Sequence, residues 1–446
     1  MPKHKFFENI PAHWEETTLG DVCRHGGFIQ TGPFGSQLHA SDYVSVGIPS
    51  IMPQNIKDNR LFLEGIPRIT AKDVERLSRY RVKPGDIVFS RRGDVDQHVL
   101  IVDEQDGWLC GTGCMQVRLG DDGVDPRYAY YYLSYPKIRE WIIQRAIGAT
   151  MPNLNISIVS AVPFLVPPLP EQRAIAHILG TLDDKIELNR KMNETLEAIA
   201  RALFKSWFVD FDPVRAKMEG RQPAGMDAET AALFPDAFED SELGEIPKGW
   251  KVGTLGEIAD NPRRGVLPED VASETPYIGL EHMPRKSIAL TDWGKAGETI
   301  SNKFHFRRGE ILFGKLRPYF HKVGIATLDG VCSTDILVIV PKFDEWYSSV
   351  LCLVSSDEFV NHAVTFSDGT KMPRTNWQDM AKYETVIPTH EVAMNFNNRV
   401  LPMVQEIRAN IMQSRTLAAL RDALLPKLIS GEVRVKDAGK FVVEML

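Results

Sequence analysis

Long apolar runs are missing from this 446-residue chain. The run from Ser160 to Leu169 is short and broken by Pro163, Pro167 and Pro168, far below the roughly 20 apolar residues of a membrane span. The opening MPKHKFFENIPAHW has no apolar core of the kind a secretory signal carries, so the expected location is the cytoplasm. Cysteine is scarce, with five residues. Cys110 and Cys114 are spaced CxxxC without a second Cys or His pair nearby, whereas a zinc site takes about four ligands. They read as buried reduced thiols, and no metal site is expected.

Catalytic signatures are also missing. There is no GxxxxGK[ST] phosphate loop. The proline-aromatic loop of enzymes that methylate amino groups is absent, because Asn261-Pro262 is followed by Arg263. Gly111-Thr112-Gly113 lacks the third glycine of a dinucleotide loop. Asp94/Asp96 and Asp121/Asp122 have no nearby lysine in nuclease spacing, and the second pair reads as a turn. The eleven histidines include no HxxxH pair. No catalytic residue is expected in this chain.

The net charge of −7 is unusual for a nucleic-acid binder. Residues 210–245, however, hold ten acids against three bases (Arg215, Lys217 and Arg221), which is the whole excess. The rest of the chain is balanced and has room for local basic patches. Its low overall charge suggests that partner subunits supply much of the grip on phosphates.

What is present is a duplication. IPAHWEETTLGDV (10–22) matches IPKGWKVGTLGEI (246–258), VKPGDIVFSRR (82–92) matches FRRGEILFGKL (306–316), and GATMPNLN (148–155) matches GTKMPRTN (369–376). The offsets shrink from 236 to 224 to 221 along the chain, so the first half carries extra loop residues. Each repeat is too long for a solenoid unit and reads as a domain.

Each half has short apolar runs bounded by Gly and Pro, such as Asp86–Phe89, Val99–Val102 and Ile336–Val340, which predict strands. A long helix follows, after PPLPEQ (167–172) and after IPTHE (387–391). Heptad seams run through Ile175, Leu182, Asn189, Leu196, Leu203 and Leu179, Ile186, Asn193, Ala200, Trp207 in the first helix. In the second they run through Phe396, Met403, Asn410, Leu417, Leu424 and Val400, Ile407, Ser414, Arg421, Leu428. Asn189/Asn193 and Asn410/Ser414 share the repeat offset. If the helices pack antiparallel these polar layers meet and lock the register; a slip would set amides against leucines at a cost of a few kcal/mol. The predicted organisation is a first head at 1–166, a central long helix at 167–211, an acidic and mostly irregular connector at 212–245, a second head at 246–386, a distal long helix at 387–431 and a tail at 432–446.

The repeated IPxxW…LG openings, the TGPFGSQL loop (31–38), the PPLPEQRAIAHIL helix start (167–179) and the LFKSWFVDFDPVRAKMEG stretch (203–220) resemble the specificity subunits of type I restriction-modification systems. The resemblance covers nearly the full chain. It implies a mixed α/β (α+β) fold with two target recognition domains joined by two long antiparallel coiled-coil helices, a pseudo-two-fold internal repeat. It implies a non-catalytic reader of a bipartite, asymmetric double-stranded DNA target. The partners it implies are two methyltransferase subunits and, in the full complex, restriction subunits. S-adenosylmethionine, ATP and Mg are expected in those partners, with no cofactor in this chain. The second half departs from the pattern, with NPRRGVLPED (261–270) in place of a TGPFGSQL counterpart.

Base reading calls for Arg and Lys facing guanine, and for Asn and Gln facing adenine, on loops held by a rigid sheet. In the first head the candidates are Ser36 and Gln37 after the glycine turn, Arg91, Arg92, Gln97 and His98 after a strand, and Thr150 and Asn153. In the second they are Arg263, Arg264, Lys315, Arg317, Tyr319, His321, Lys371 and Arg374. A single-chain restriction-methylation enzyme would carry a cofactor motif. A pure protein scaffold would have no need of basic residues after equivalent strands. A helix of roughly 38 residues spans about 57 Å, so the two half-sites are expected about one DNA turn apart.

Overall fold

Short runs of β-branched and aromatic residues favour a pleated, half-buried surface, and in both heads they form sheets of the same order. In the computed structural model, which describes residues 6–7, 10–121, 123–148, 150–298, 301–369 and 371–445, the first head has strands β1 (Phe28–Thr31), β2 (Ile87–Ser90), β3 (His98–Leu100) and β4 (Cys114–Arg118) in the order β1-β4-β2-β3. The second has β5 (Ala259–Asp260), β6 (Ile311–Gly314), β7 (Val323–Ile325) and β8 (Ile336–Pro341) in the order β5-β8-β6-β7. Every neighbouring pair is antiparallel. Asp122, read above as part of a turn, lies outside the described residues. The heads differ in their other main sheet. In the first head, Leu109–Cys110 runs parallel to Ile48–Ile51 in a four-stranded sheet; in the second, Gly330–Ser333 runs parallel to Pro276–Ile278 in a five-stranded one.

Each head is closed by pairing its opening strand with its last. Glu15–Thr18 pairs antiparallel with Pro163–Val166, and Lys251–Thr254 with Glu384–Ile387. The Leu-Gly that follows each opening strand explains the repeated motif. Leu19 and Leu255 are fully buried. A Cβ on Gly20 would come within 2.8 Å of Ser160, and one on Gly256 within 3.1 Å of the Ala381 carbonyl, so a side chain would force the closing turn away.

The long helices are Leu169–Phe208 and His390–Ile429, each of 40 residues. The first starts inside the PPLPEQ segment rather than after it. Gln172, fully buried, accepts from the Asp125 N–H and donates to the carbonyls of Gly123 and Pro167, while Glu171 accepts from the Trp14 indole. These bonds fasten the helix start to the first head. The chain forms two compact units, Met1–Asp184 with Leu417–Leu446, and Lys185–Thr416. Both helices therefore contribute to both units.

Within the first unit, Leu179, Leu424 and Leu428 share a core with Phe89, Tyr128, Tyr132 and Phe164, and Arg421 bonds Asp183 at 2.6 Å. Arg421, where the seam breaks its apolar pattern, is thus satisfied by an acid of the other helix. Within the second unit, Phe396 packs on Phe204, Trp207 and Phe208. The polar layer lies in this unit. The Asn189 amide donates to Gln413 Oε1 (2.9 Å), Ser414 Oγ (3.2 Å) and the Asn410 carbonyl (3.4 Å), and the Asn410 amide donates to Asn193 Oδ1 (3.0 Å). Residue numbers rise on one helix as they fall on the other, so the packing is antiparallel. Gln413 belongs to the layer although the heptad reading did not include it.

The segment 212–245 is more ordered than its composition suggested. It forms helices Asp212–Met218 and Ala228–Ala232, and a hairpin of Phe238–Ser241 with Gly244–Pro247. Buried Phe211, Val214 and Phe234 anchor it, with Phe234 against Trp207 and Trp250. Each piece spans at most two helical turns, so no long periodicity marks it. In the tail, Ala438–Met445 is helical and Phe441 packs on the first unit's core.

His98 is fully buried in the first head. Its ring stacks on Phe89 and its nitrogens lie 3.1 Å from the Tyr130 carbonyl and 3.3 Å from that of Asp96. Burial pushes it down to about 4, from about 6.5 for a free imidazole. The unfolded chain therefore takes up the proton first as the pH falls. This one group should remove about 3 kcal/mol of stability between pH 6.5 and pH 4. His98→Asn should lower stability at pH 7 and narrow its gap to wild type at pH 4.5 in urea unfolding; a pH-independent gap would contradict a neutral buried ring. For the polar layer, Asn189→Ala alone leaves buried partners unsatisfied and should cost about 1–3 kcal/mol. Leucine at Asn189, Asn193 and Asn410 together should recover that loss or more, as read by thermal denaturation.

Candidate nucleic-acid interface

Strand β2 ends at Ser90 and runs into Arg91-Arg92-Gly93; β6 ends at Gly314 and runs into Lys315-Leu316-Arg317. Each of these basic straps is hydrogen-bonded along its length to a Met-Pro turn from later in the same head. In the first head the Leu154 N–H donates to the Arg91 carbonyl (2.9 Å), Gly93 N–H to the Pro152 carbonyl (3.1 Å) and Ile147 N–H to the Asn153 carbonyl (2.9 Å). In the second, Thr375 donates to Lys315 (3.1 Å), Arg317 to Pro373 (2.7 Å) and Asp368 to Arg374 (2.9 Å). These are the same three bonds at the repeat offsets. A backbone ladder of this kind holds the strap whatever side chains it carries.

The side chains on the ladder differ. In the first head Arg92 is exposed and Arg91 Nε donates to Asn153 Oδ1 at 3.2 Å. Burial, then the neighbouring Arg92 charge, lowers the Arg91 pKa. Thr150 is exposed in the turn. In the second head Lys315 and Arg317 are half-buried, Lys371 and Arg374 are exposed, and Arg374 Nε lies 3.1 Å from Asp335. Gly93 and Arg317 occupy the same place in the two ladders. Gly93 has φ +78° and Arg317 φ +51°, the left-handed region that costs a non-glycine residue about 1–2 kcal/mol. The Arg317 Nε is also buried without a hydrogen-bond partner. Backbone strain and an unpartnered buried nitrogen thus coincide at one residue.

Several residues chosen from the sequence do not belong to this surface. His98 and His321 are corrections: both rings are buried, and His321 Nε2 is 2.9 Å from the Ser355 carbonyl. Arg264 is a third. Its guanidinium makes two bonds to buried Glu310, at 2.8 and 2.7 Å, which raise its pKa. Glu310 sits where Asp86 does in the first head, and Asp86 takes the equivalent two bonds from Arg118. The acid at this repeat position recruits an arginine from a strand end in the first head (Arg118) and from the loop before Gly265 in the second (Arg264), which the sequence did not reveal. Gln37 is turned inward, its Oε1 accepting from Tyr80 OH and Phe34 N–H, and Gln97 Oε1 accepts from the Asn59 N–H. Ser36 is exposed on the separate 34–38 turn. Arg263 is exposed with φ +43° and lies over the Phe304 ring, and Tyr319 is exposed beside Arg317.

Met151 and Met372 are matched in the repeat but are not among the candidate contacts. They stand exposed (63% and 46%) at the tips of the two ladder turns; the repeated GxxMP was the available signal. Among the described residues no group of His, Cys, Asp or Glu is arranged to hold a metal ion, and no helix is long and apolar enough to cross a membrane.

Residues 11–198 match the model of the type I restriction modification DNA specificity domain. The chain is 26% identical over 443 residues to the type I restriction enzyme MjaIX specificity subunit of Methanocaldococcus jannaschii, covering 96% of this chain and 95% of that one. It is 25% identical to the HindI specificity subunit of Haemophilus influenzae, covering 95% of this chain and all of that one. The crystal structure of the type I restriction-modification S subunit from M. genitalium has the same fold, with a TM-score of 0.56 at 16% identity over 96% of this chain and 98% of that one. With its two matched heads and paired long helices, the chain is similar over nearly its full length to specificity subunits of type I restriction enzymes.

Proposed function

We propose that this chain is the non-catalytic subunit that reads DNA sequence for a type I restriction-modification complex, with one half-site read by each head. The observation that carries the reading is the ladder. Two heads share one sheet order and one backbone scaffold, and they differ in the polar and basic side chains displayed on it. A common scaffold with different side chains is what an asymmetric, two-part target requires. Arg91, Arg92, Thr150 and Asn153 would read the first half-site, and Lys315, Arg317, Lys371 and Arg374 the second, with Arg263, Tyr319 and Ser36 at the margins. Methyl transfer and ATP-driven steps would fall to methyltransferase and restriction subunits, which would bring S-adenosylmethionine, ATP and Mg; two methyltransferases, one for each repeat, is the expected stoichiometry. The relatives' names support this division of labour.

Mapping modified adenines in cells that express the chain with its methyltransferase should give two short half-sites separated by unread bases. A continuous target would overturn the reading. Arg91→Ala with Arg92→Ala should relax one half-site, and Lys315→Ala with Arg374→Ala the other, each lost bidentate base contact costing about 1–3 kcal/mol at its position. A uniform loss on all sequences with a shallower salt dependence would make these phosphate contacts instead. Arg317→Gly relieves the left-handed backbone. It should raise the melting temperature and weaken discrimination at the second half-site; a variant that gains stability and keeps full discrimination would remove Arg317 from the reading set.

A further inference from the structure

Glu197 lies on the first long helix and is 4% exposed. A buried glutamate is rare unless its charge is met. Here it is met by one loop of the second head: Ser287 Oγ donates at 2.8 Å, Ile288 N–H at 3.1 Å and Ala289 N–H at 3.2 Å. A few residues on, the same segment is gripped by the second long helix. The Arg415 guanidinium stacks 3.6 Å from the centre of the Trp293 ring and donates to the Thr291 carbonyl at 3.2 Å. Residues 287–293 thus lie against both helices, within one compact unit.

The other end of this segment meets the strap. The Lys286 N–H donates to the His321 carbonyl (2.9 Å), with Lys286 at φ +54°. The Arg285 guanidinium lies 4.1 Å from the centre of the Phe320 ring. The Ile325 N–H donates to the Ile288 carbonyl (3.0 Å). His321 and Phe320 close the turn that begins at Arg317, so a continuous chain of bonds runs from Glu197 and Arg415 to the basic strap.

The first head holds its Asn59 loop through its own helix, whose Tyr131 OH bonds Asp183 of the first long helix at 2.8 Å. Asn59, also left-handed at φ +55°, bonds Gln97 and His98, and its carbonyl accepts from Tyr130 OH of the head's own helix Pro126–Ser134. At the repeat offset from Glu197 the second helix has Ala418, which has no carboxylate to offer.

We infer that Glu197 and Arg415 are positioning residues that tie the second head's reading strap to the long helices through residues 285–293, whereas the first head meets its helix by a different route, Tyr131 OH on Asp183 at 2.8 Å. The inference rests on the strap being the reading element, as proposed above. Its consequence is that a change at Glu197 or Arg415 reaches the reading of the second half-site and leaves the first untouched.

Two measurements on the full-length chain test this. The first needs no DNA: hydrogen exchange on Glu197→Gln and Arg415→Gln. Glutamine at 197 keeps the shape but turns one acceptor into a donor facing N–H groups. Exchange should speed up at least threefold in both 285–293 and 315–322, with 91–98 unchanged. Loosening of 285–293 alone, or none, would overturn the tie. The second is binding to duplexes with single changes in each half-site, and with the gap altered by one base pair. Both variants should lose about tenfold discrimination at the second half-site and tolerate the altered gap, with the first half-site as in the parent. Equal loss at both half-sites, or none, would overturn the proposal. Asp183→Asn, which disturbs a helix contact of the other unit, is the control and should leave the second half-site intact. If the parent chain itself shows no two-part discrimination, the reading proposed above fails, while the exchange data still decide whether the tie exists.

Discussion

Each head depends on one backbone pairing, that of its opening strand with its closing strand. Four residue pairs in each ladder bring together segments 130 or more residues apart, Glu15–Thr18 with Pro163–Val166 and Lys251–Thr254 with Glu384–Ile387. Closing so long a loop carries an entropic cost that rises only slowly with its length, and buried leucines and a close glycine contact after each opening strand help to offset it. Once closed, the head ends where a long helix begins. In the first head the Trp14 indole bonds Glu171 directly. In the second, Trp250 instead packs in an aromatic cluster with Phe208, Phe211 and Phe234 from the connector and helix end. One architectural solution is thus secured by a hydrogen bond in one copy and by aromatic packing in the other.

The same economy shapes the proposed reading surface. The strap and the Met-Pro turn are joined by main-chain bonds, which make no demand on side-chain identity. Sequence at the surface was therefore free to diverge between the copies without loss of geometry, whereas the acid beneath it, Asp86 or Glu310, stayed. Arg317 shows the limit of that freedom. An arginine in the conformation that glycine adopts at Gly93, with a buried unpartnered Nε, is a local strain that the surrounding ladder over-determines.

The helices carry a different kind of constraint. Apolar seams permit several registers, because one leucine packs much like another. The layer of Asn189, Asn193, Asn410 and Gln413 permits few, since a buried amide needs its partner at hydrogen-bond distance. Asp183 with Arg421 adds a further polar contact between the two helices.

How much of this was legible follows from the range of the forces involved. The duplication, the strand runs, the long helices and the polar layer are encoded by periodicity and by repeated words, and a local pattern suffices to find them. The placement of Arg91 and Arg92 beside Asn153 in the first head, and of Lys315 beside Arg374 in the second, also followed, because the matched motifs come from loops at equivalent strand ends. Folding alone decided the rest. His98 and His321 follow strands just as the exposed bases do, and only the packing of helices over them buries their rings. Arg264 looked free until Glu310, 46 residues away, came within 2.8 Å. The connector folded because Trp207 and Trp250 give its few apolar residues somewhere to dock. Local sequence determines which element forms and which face is apolar; which polar side chain reaches solvent and which finds a buried partner depends on distant chain, and no window of sequence contains that information.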